Sequence, residues 1–235
     1  MMKKILILTL MSIFLFSCEQ IEKGLKQQNI VTEAEAINGL KEALSVGTNN
    51  AVNYLKQPGT FYNNPSLRIP FPPEINYVAE KLNQIGLSSL VDKFIKTINE
   101  AAEKSMEKAL PIFTQAIKEM TISDAKNIIK GGNNAATQYF QSKTSQSLFQ
   151  AFIPIIKETL GQVQATKYWT EITTKYNALP GVQPVNTDLS AYVTEQAINR
   201  LFTKIAEEET KIRTDINART SDILKKVFDS NAIIL

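Results

Sequence analysis

Histidine is absent from all 235 residues, and cysteine occurs once, as Cys18. Without an imidazole, no serine–histidine or cysteine–histidine nucleophilic machinery can assemble, and histidine ligation of a metal is excluded. Without a second cysteine no intramolecular disulfide can form, so a packed core has to supply the stability. Charge of one sign is also scarce: 26 basic residues stand against 23 acidic ones. A chain this balanced has no global field to steer it toward nucleic acid. Internal repeats, low-complexity tracts and strand-pair patterns are missing as well. No cofactor or metal site is expected.

One long hydrophobic run exists, and it lies at the N-terminus. Lys3 and Lys4 form a short positive region, and Ile5 to Phe16 follow without a charge, with only Thr9 and Ser12 polar. That length suits the core of a secretory signal and is too short to span a bilayer. It ends in Leu15-Phe16-Ser17-Cys18, a small residue directly before cysteine and an aliphatic residue three before it. The pattern resembles the lipobox of bacterial lipoprotein signals, which implies diacylglyceryl attachment to the Cys18 sulfur, cleavage before it and acylation of the new amine. Each buried methylene contributes about 0.8 kcal/mol, so two or more acyl chains anchor stably where one does not. The other reading is an ordinary cleaved signal with Cys18 incidental. Removing residues 1–17 deletes Lys3 and Lys4 and no acid, which leaves 24 basic against 23 acidic residues. Residues 18–31 then read as a lipidated N-terminus and polar tether, and 32–235 as a single helical domain. Glu19 directly after Cys18 resembles outer-membrane rather than inner-membrane sorting signals.

Helical periodicity dominates that domain. Thr32 with Glu35 predicts a capping box, and Ile37, Leu40 and Leu44 carry the apolar face of the helix it opens. Pro58-Gly59 stops this helix. Five prolines between 58 and 73 (PGTFYNNPSLRIPFPPE) predict an extended, stiff connector. Ile75, Val78, Leu82 and Ile85 mark a short helix that Gly86 ends. Leu90, Phe94, Ile98, Ala102 and Ala109 line a longer one, bent at Pro111 and ending near Met120. Thr121 with Asp124 starts a brief helix to Lys130, closed by Gly131-Gly132. Leu148, Phe152, Ile156, Leu160 and Val163 predict a long helix with Pro154 as a kink. ALPGVQP at 178–184 breaks the chain, Asp188 caps the last long helix, and Thr220 caps a terminal one with Ile223, Leu224, Val227 and Phe228 inward. The expected fold is all-α, one irregular bundle of about seven to nine helices.

Some residues break the pattern. The apolar stripe of the last long helix runs Val193, Ala197, Leu201 and Ile205 and resumes at Ile212 and Ile216. Between them the spacing lands on Glu208 and Glu209, and a carboxylate facing a core is costly unless it is paired. Arg213 follows Glu209 by four residues, a favourable order on a helix. These acids read as a solvated face, an internal ion pair, or a ligand- or proton-handling site. Arg68 in SLRIPFP is the first candidate partner from elsewhere, docking on the Glu207–Glu209 cluster; the alternative leaves it in solvent. In GGNNAATQYF, Gly131 and Gly132 end one helix and Asn133 or Asn134 caps the next. The other reading has this turn offer backbone N–H groups to an anion. Its spacing matches no phosphate loop, which favours capping. Tyr62, Tyr139, Tyr168, Trp169 and Tyr192 read as core-edge aromatics, or else as a stacking pocket.

Three blocks, SLRIPFP, INEAAEKSMEKALPIFTQAIKEMTISDAKNIIKGGNNAATQYF and DLSAYVTEQAINRLFTKIAEEETKIR…RTSDILKKVF, together resemble the bacterial lipoprotein family catalogued as domain of unknown function 4197. The likeness covers nearly all of residues 33–229, with the blocks in the expected order. It implies a secreted, lipid-anchored bacterial protein and carries no activity with it.

The resulting expectation is a non-enzymatic helical lipoprotein held at a membrane surface, on the outer membrane and facing the periplasm. There it would bind membrane lipid through acylated Cys18 and an envelope protein, another envelope component or an apolar ligand. A carboxylate-dependent envelope hydrolase using Glu207, Glu208 or Glu209 is the rival class, and a purely structural spacer is a third. An interior apolar cavity would favour a small ligand, and a solid core with an exposed patch a protein partner.

Overall fold

A computed structural model describes residues 29–71, 76–84, 86, 88–161, 188–229 and 232–234, together with 166, 169, 170, 173, 174, 177, 178, 180, 181 and 184. The signal segment with Cys18, the tether up to residue 28, and Ile75, Ile85, Val163 and Tyr168 lie outside them.

The first helix, α1 (Glu33–Leu55), begins with the capping box that the sequence predicts. Thr32 N–H donates to Glu35 Oε2 at 3.0 Å, and Glu35 N–H returns a bond to Thr32 Oγ1 at 3.3 Å. Leu40 and Leu44 are buried on its inner face. Gly59 stops it in the left-handed region at φ 82°, where a side chain would be strained.

The proline segment is less irregular than expected. A single helical turn, α2 (Thr60–Asn63), forms within it, because Pro58 precedes the turn and Pro65 follows it. Beyond that the chain runs extended, and Phe61, Leu67, Ile69 and Phe71 are buried in the main core.

Next come α3 (Asn76–Gln84) and α4 (Ser88–Ser105). A 3₁₀ turn at Met106–Lys108 leads from α4 into α5 (Ala109–Glu119). The break was expected at Pro111 and falls upstream of it. Proline clashes with the carbonyl four residues earlier, here that of Glu107 inside the 3₁₀ turn, and is itself tolerated in a first helical turn.

A second capping box, Thr121 with Asp124, opens α6 (Ile122–Lys130). Helix α7 (Ala135–Gly161) runs through Pro154 without ending. Asp188 caps α8 (Leu189–Thr214), accepting from Ser190 N at 2.9 Å and Ala191 N at 3.2 Å. This helix stops before Ile216, which sits in a 3₁₀ turn at 64 % exposure rather than on the inner stripe. The last helix, α9 (Asp222–Val227), is capped by Ser221 and not by Thr220.

Among the described residues α8 packs centrally, against α7, α1 and α4. Phe113 of α5 meets Phe140 of α7 at 4.9 Å and Phe202 of α8 at 6.3 Å between ring centres, joining three layers. The architecture is all-α, as expected. One departure is a strand pair the sequence pattern did not announce. Strand β1 (Asn29–Val31) runs parallel to β2 (Ala232–Ile234), with Ile30 opposite Ile233. Three residues are too few to show a two-residue period, and the partner lies at the other end of the chain. The end of the expected tether is therefore part of the domain.

Charged side chains tie α1 to its neighbours: Glu33 meets Lys126 of α6 at 2.9 Å, and Glu35 meets Lys226 of α9 at 2.7 Å. The Lys226 bond, followed by those from Thr32, holds the Glu35 carboxyl down at about 2. A carboxylate whose pKa is lower in the folded state stabilises above its unfolded pKa and loses that effect as pH falls toward the folded one. Stability followed by circular dichroism is thus expected to decline from about pH 4.5 to 2. Lys226→Gln should shift the lower limit of that decline upward.

Two glycines on α1 make opposite predictions. A Cβ at Gly39 would lie 2.6 Å from Val227 Cγ2 and 3.3 Å from Ile223 Cγ1, so Gly39→Ala forces α9 away and should cost about 1–3 kcal/mol. At Gly47 the nearest atoms, on Glu208 and Ile212, stand at 3.7 Å. Gly47→Ala should therefore gain up to about 1 kcal/mol from helix propensity. Urea unfolding of the two variants checks both signs.

Candidate functional site

The charge-breaking stretch of α8 and the glycine turn before α7 turn out to be one site. Helix α7 begins at Ala135, and the N–H groups of its first turn have no intrahelical acceptor. The sequence assigned their capping to Asn133 or Asn134. Asn134 holds the cap position through its backbone, since its carbonyl accepts from Gln138 N at 2.9 Å. Both asparagine side chains nevertheless point into solvent. The acceptor is Glu209, which reaches across from α8. Ala136 N–H donates to Glu209 Oε1 at 3.0 Å and Thr137 N–H to Oε2 at 2.9 Å, with the Thr137 hydroxyl on Oε2 at 2.8 Å. The turn does hold an anion at a helix N-terminus, and that anion is a carboxylate of the same chain.

Arg213 completes the arrangement. Its Nε and Nη2 both donate to Glu209 Oε1, at 3.0 and 2.9 Å, and Nη2 also reaches the Ile128 carbonyl at 3.0 Å. Ile128 lies in the last turn of α6, where carbonyls lack partners and the helix dipole favours a cation. One i, i+4 pair on α8 thus closes the end of α6 and the start of α7. Arg219 then seals α8 itself, donating to the carbonyls of Ile212 and Arg213 at 3.0 Å each. Glu209, only 8 % exposed, has both oxygens engaged. Of the three readings of this carboxylate, the internal ion pair describes it.

Glu208 and Glu207 face another way. Glu208 meets Lys211 at 2.7 Å and Lys204 at 3.5 Å, and Asn50 of α1 lies at 3.5 Å. Burial pushes the Glu208 carboxyl up, but Lys211 and Lys204 outweigh it and hold the group below its ordinary range. Lys204 also binds Glu207 at 2.8 Å and stands 4.5 Å over the Tyr54 ring. Burial pulls the Lys204 amine down, and Glu207 and Glu208 together raise it above its usual value. A hydrolytic pair needs one carboxyl with a raised pKa facing an open cleft, and Glu208 and Glu209 do not provide that geometry.

Arg68 does not join the cluster. It is exposed, its Nε donates to the Tyr62 carbonyl at 2.6 Å, and its guanidinium lies 4.5 Å over the Tyr62 ring. The Tyr62 hydroxyl bonds Asp92 of α4. SLRIPFP alternates its side chains, so burying Leu67 and Ile69 turns Arg68 outward.

The sequence reading overlooked the residues that do hold the proline segment. Asn99 Oδ1 accepts from Ile69 N at 2.8 Å and its Nδ2 returns a bond to the Ile69 carbonyl at 3.0 Å. One turn later, Glu103 accepts from Gly59 N at 3.0 Å and Phe61 N at 2.8 Å, capping α2 from α4. Both side chains belong to INEAAE, directly after Ile98 and Ala102 of the inner stripe. Polar residues beside that stripe, spaced by four, were the signal available.

The aromatics separate. Trp169 is buried, stacked 6.2 Å from Phe94 and 6.0 Å from Tyr192, with Phe71 alongside at 6.2 Å. Tyr62 and Tyr139 lie elsewhere, so these residues form no common pocket. Beside Glu209, an apolar cavity of about 30 Å³ lined by Leu40, Phe140 and Ile205 has room for about one water molecule and none for an acyl chain. Among the described residues, no cluster of three or more acidic or cysteine side chains is arranged to hold a metal ion.

Helix ends capped from distant helices define the class: an all-α bundle whose interior carboxylates, Glu103 and Glu209, are engaged by backbone N–H groups and, at Glu209, by Arg213. The chain belongs to the family described as "Protein of unknown function (DUF4197)", which it matches over residues 30–229. No curated protein and no solved structure matches it significantly.

Removing Glu209 leaves a part-buried guanidinium without its counter-charge and two buried backbone N–H groups without their acceptor. Glu209→Ala should cost about 3–5 kcal/mol. In a double-mutant cycle with Arg213→Ala, the coupling should exceed about 1 kcal/mol. Additive losses in urea unfolding would show that the pair does not act as a unit.

Proposed function

We propose that the chain is a membrane-anchored, periplasm-facing lipoprotein of the cell envelope that works by binding rather than by catalysis. The observation that carries this reading is the disposition of the interior. The cavity beside Glu209 is too small for a ligand, and Glu103 and Glu209, with Asn99, are engaged by backbone and by Arg213. Recognition is then left to the outer surface. The anchor rests on Leu15-Phe16-Ser17-Cys18.

The domain begins with β1 at Asn29. At about 3.3–3.6 Å per residue, the chain from Cys18 to Asn29 reaches no more than about 40 Å, so an acylated Cys18 keeps the bundle beside the lipid surface. Among the described residues no helix is long and apolar enough to cross a membrane, and attachment would rest on the acyl chains. The two acyl chains of a diacylglyceryl group on the sulfur, with a third on the amine, would hold where a single chain would exchange.

Phase separation in a cloud-point detergent tests the anchor on protein produced with its own N-terminal segment in a bacterial host. The native chain should enter the detergent phase, and Cys18→Ala should remain in the aqueous phase with unchanged helix content. Native protein in the aqueous phase with a titratable thiol would overturn the reading.

A further inference from the structure

The crease between α6 and α7 is an open groove of about 620 Å³ whose lining includes Asp124, Asn127, Asn133, Asn134, Gln138 and Tyr139. Its chemistry is unusual for a surface that is otherwise rich in lysine and glutamate. Among the described residues Asp124 is the only charged side chain in the lining, and no cation among them lines it. The N–H groups of Ala136 and Thr137 are already held by Glu209. An anionic ligand therefore finds no counter-charge there and meets a carboxylate. An extended peptide fits no better, because peptide grooves offer a strand edge or successive apolar pockets, and here Ile128 is the only large aliphatic lining residue.

What the groove presents is four carboxamides, each with an acceptor and two donors. No hydrogen bond within the described structure occupies the side chains of Asn127, Asn133, Asn134 or Gln138. Beside them stands a half-buried aromatic ring held in place. The Tyr139 hydroxyl donates to the Ala116 carbonyl at 2.9 Å, and its ring packs 5.8 Å from Phe140. Lys143, 6.0 Å from the centre of that ring, lines a neighbouring groove of about 500 Å³ along α5 and not this one. Neutral two-way hydrogen-bonding groups beside a fixed ring match a ligand that is uncharged, dense in hydroxyl and amide groups, and apolar on one face.

We propose that the α6–α7 groove binds an uncharged glycan chain, its hydroxyl and acetamido groups paired with Asn127, Asn133, Asn134 and Gln138 and one sugar face resting on Tyr139. This names a ligand class for the binding protein proposed above, and it does not depend on the acyl anchor.

Titration of the full chain with chitotetraose, followed calorimetrically and by backbone amide shifts, tests it. Saturable binding is expected, with shifts confined to residues around 124–142. The Asn133→Ala/Asn134→Ala/Gln138→Ala variant changes only exposed side chains and should weaken binding about tenfold or more. Tyr139→Ala should weaken it, and Tyr139→Phe, which keeps the ring, should retain it. Gln141→Ala, outside the lining, should leave it unchanged. Absence of saturable binding, equal affinity in the triple variant, or equal loss in Gln141→Ala overturns the proposal. So does a neutral extended peptide that binds the same residues as tightly as the glycan. Cys18→Ala should bind chitotetraose like the parent, so failure of the anchor and failure of this site give different results.

Discussion

The end of α6 and the start of α7 meet where the chain turns from one into the other, and a single buried carboxylate makes that meeting possible. The first turn of α7 presents N–H groups that the Asn133 and Asn134 side chains leave free, and the last turn of α6 presents carbonyls beside them. Glu209 and Arg213 supply the opposite charges, one to each end. Buried ions of this kind are costly to desolvate. Here the cost is offset because every oxygen of Glu209 meets a donor and because the two helix dipoles favour the signs that approach them. The register of α8 against α6, α7 and α1 follows from that contact, since sliding α8 by one turn would leave both charges without partners.

The same device recurs at the far end of the proline segment. Gly59 has no side chain to cap α2, and Glu103 supplies the missing acceptor from α4. Asn99, one turn earlier, pairs with both backbone groups of Ile69. Proline-rich chain cannot satisfy its own backbone within a helix or a ladder, so a helix in the bundle has to do it. This accounts for the polar residues at core-facing positions of α4. RIPFP, INEAAE, GGNNAATQYF and AEEETKIR hold the partners in these two clamps.

Under the proposed binding role, recognition falls to the outside of the bundle. The α6–α7 crease is open and carboxamide-lined because Glu209 takes the helix N–H groups from below, which leaves the turn above it neutral. Structural capping on the inner side and the proposed glycan groove on the outer side thus meet at one carboxylate.

By itself the sequence determined the helical class, the capping boxes at Thr32 and Thr121, the Asp188 cap, the inner stripes apart from Leu90, which is exposed, and the costliness of Glu208 and Glu209. These depend on neighbours within about one helical turn, and a linear pattern records such neighbours directly. It misplaced the bend near Pro111 by a turn, since proline disturbs the residue four before it, and it overran α8 to Ile216. Of its two readings of Arg68, docking on the Glu207–Glu209 cluster failed and the exposed position held. Which side chain satisfies Gly59, Ile69 or Ala136, and which strand β1 joins, was decided only by the tertiary structure. Those partners lie between 30 and 203 residues apart along the chain, and hydrogen bonds across such distances leave no periodicity in sequence, only polar residues where the pattern asks for apolar ones.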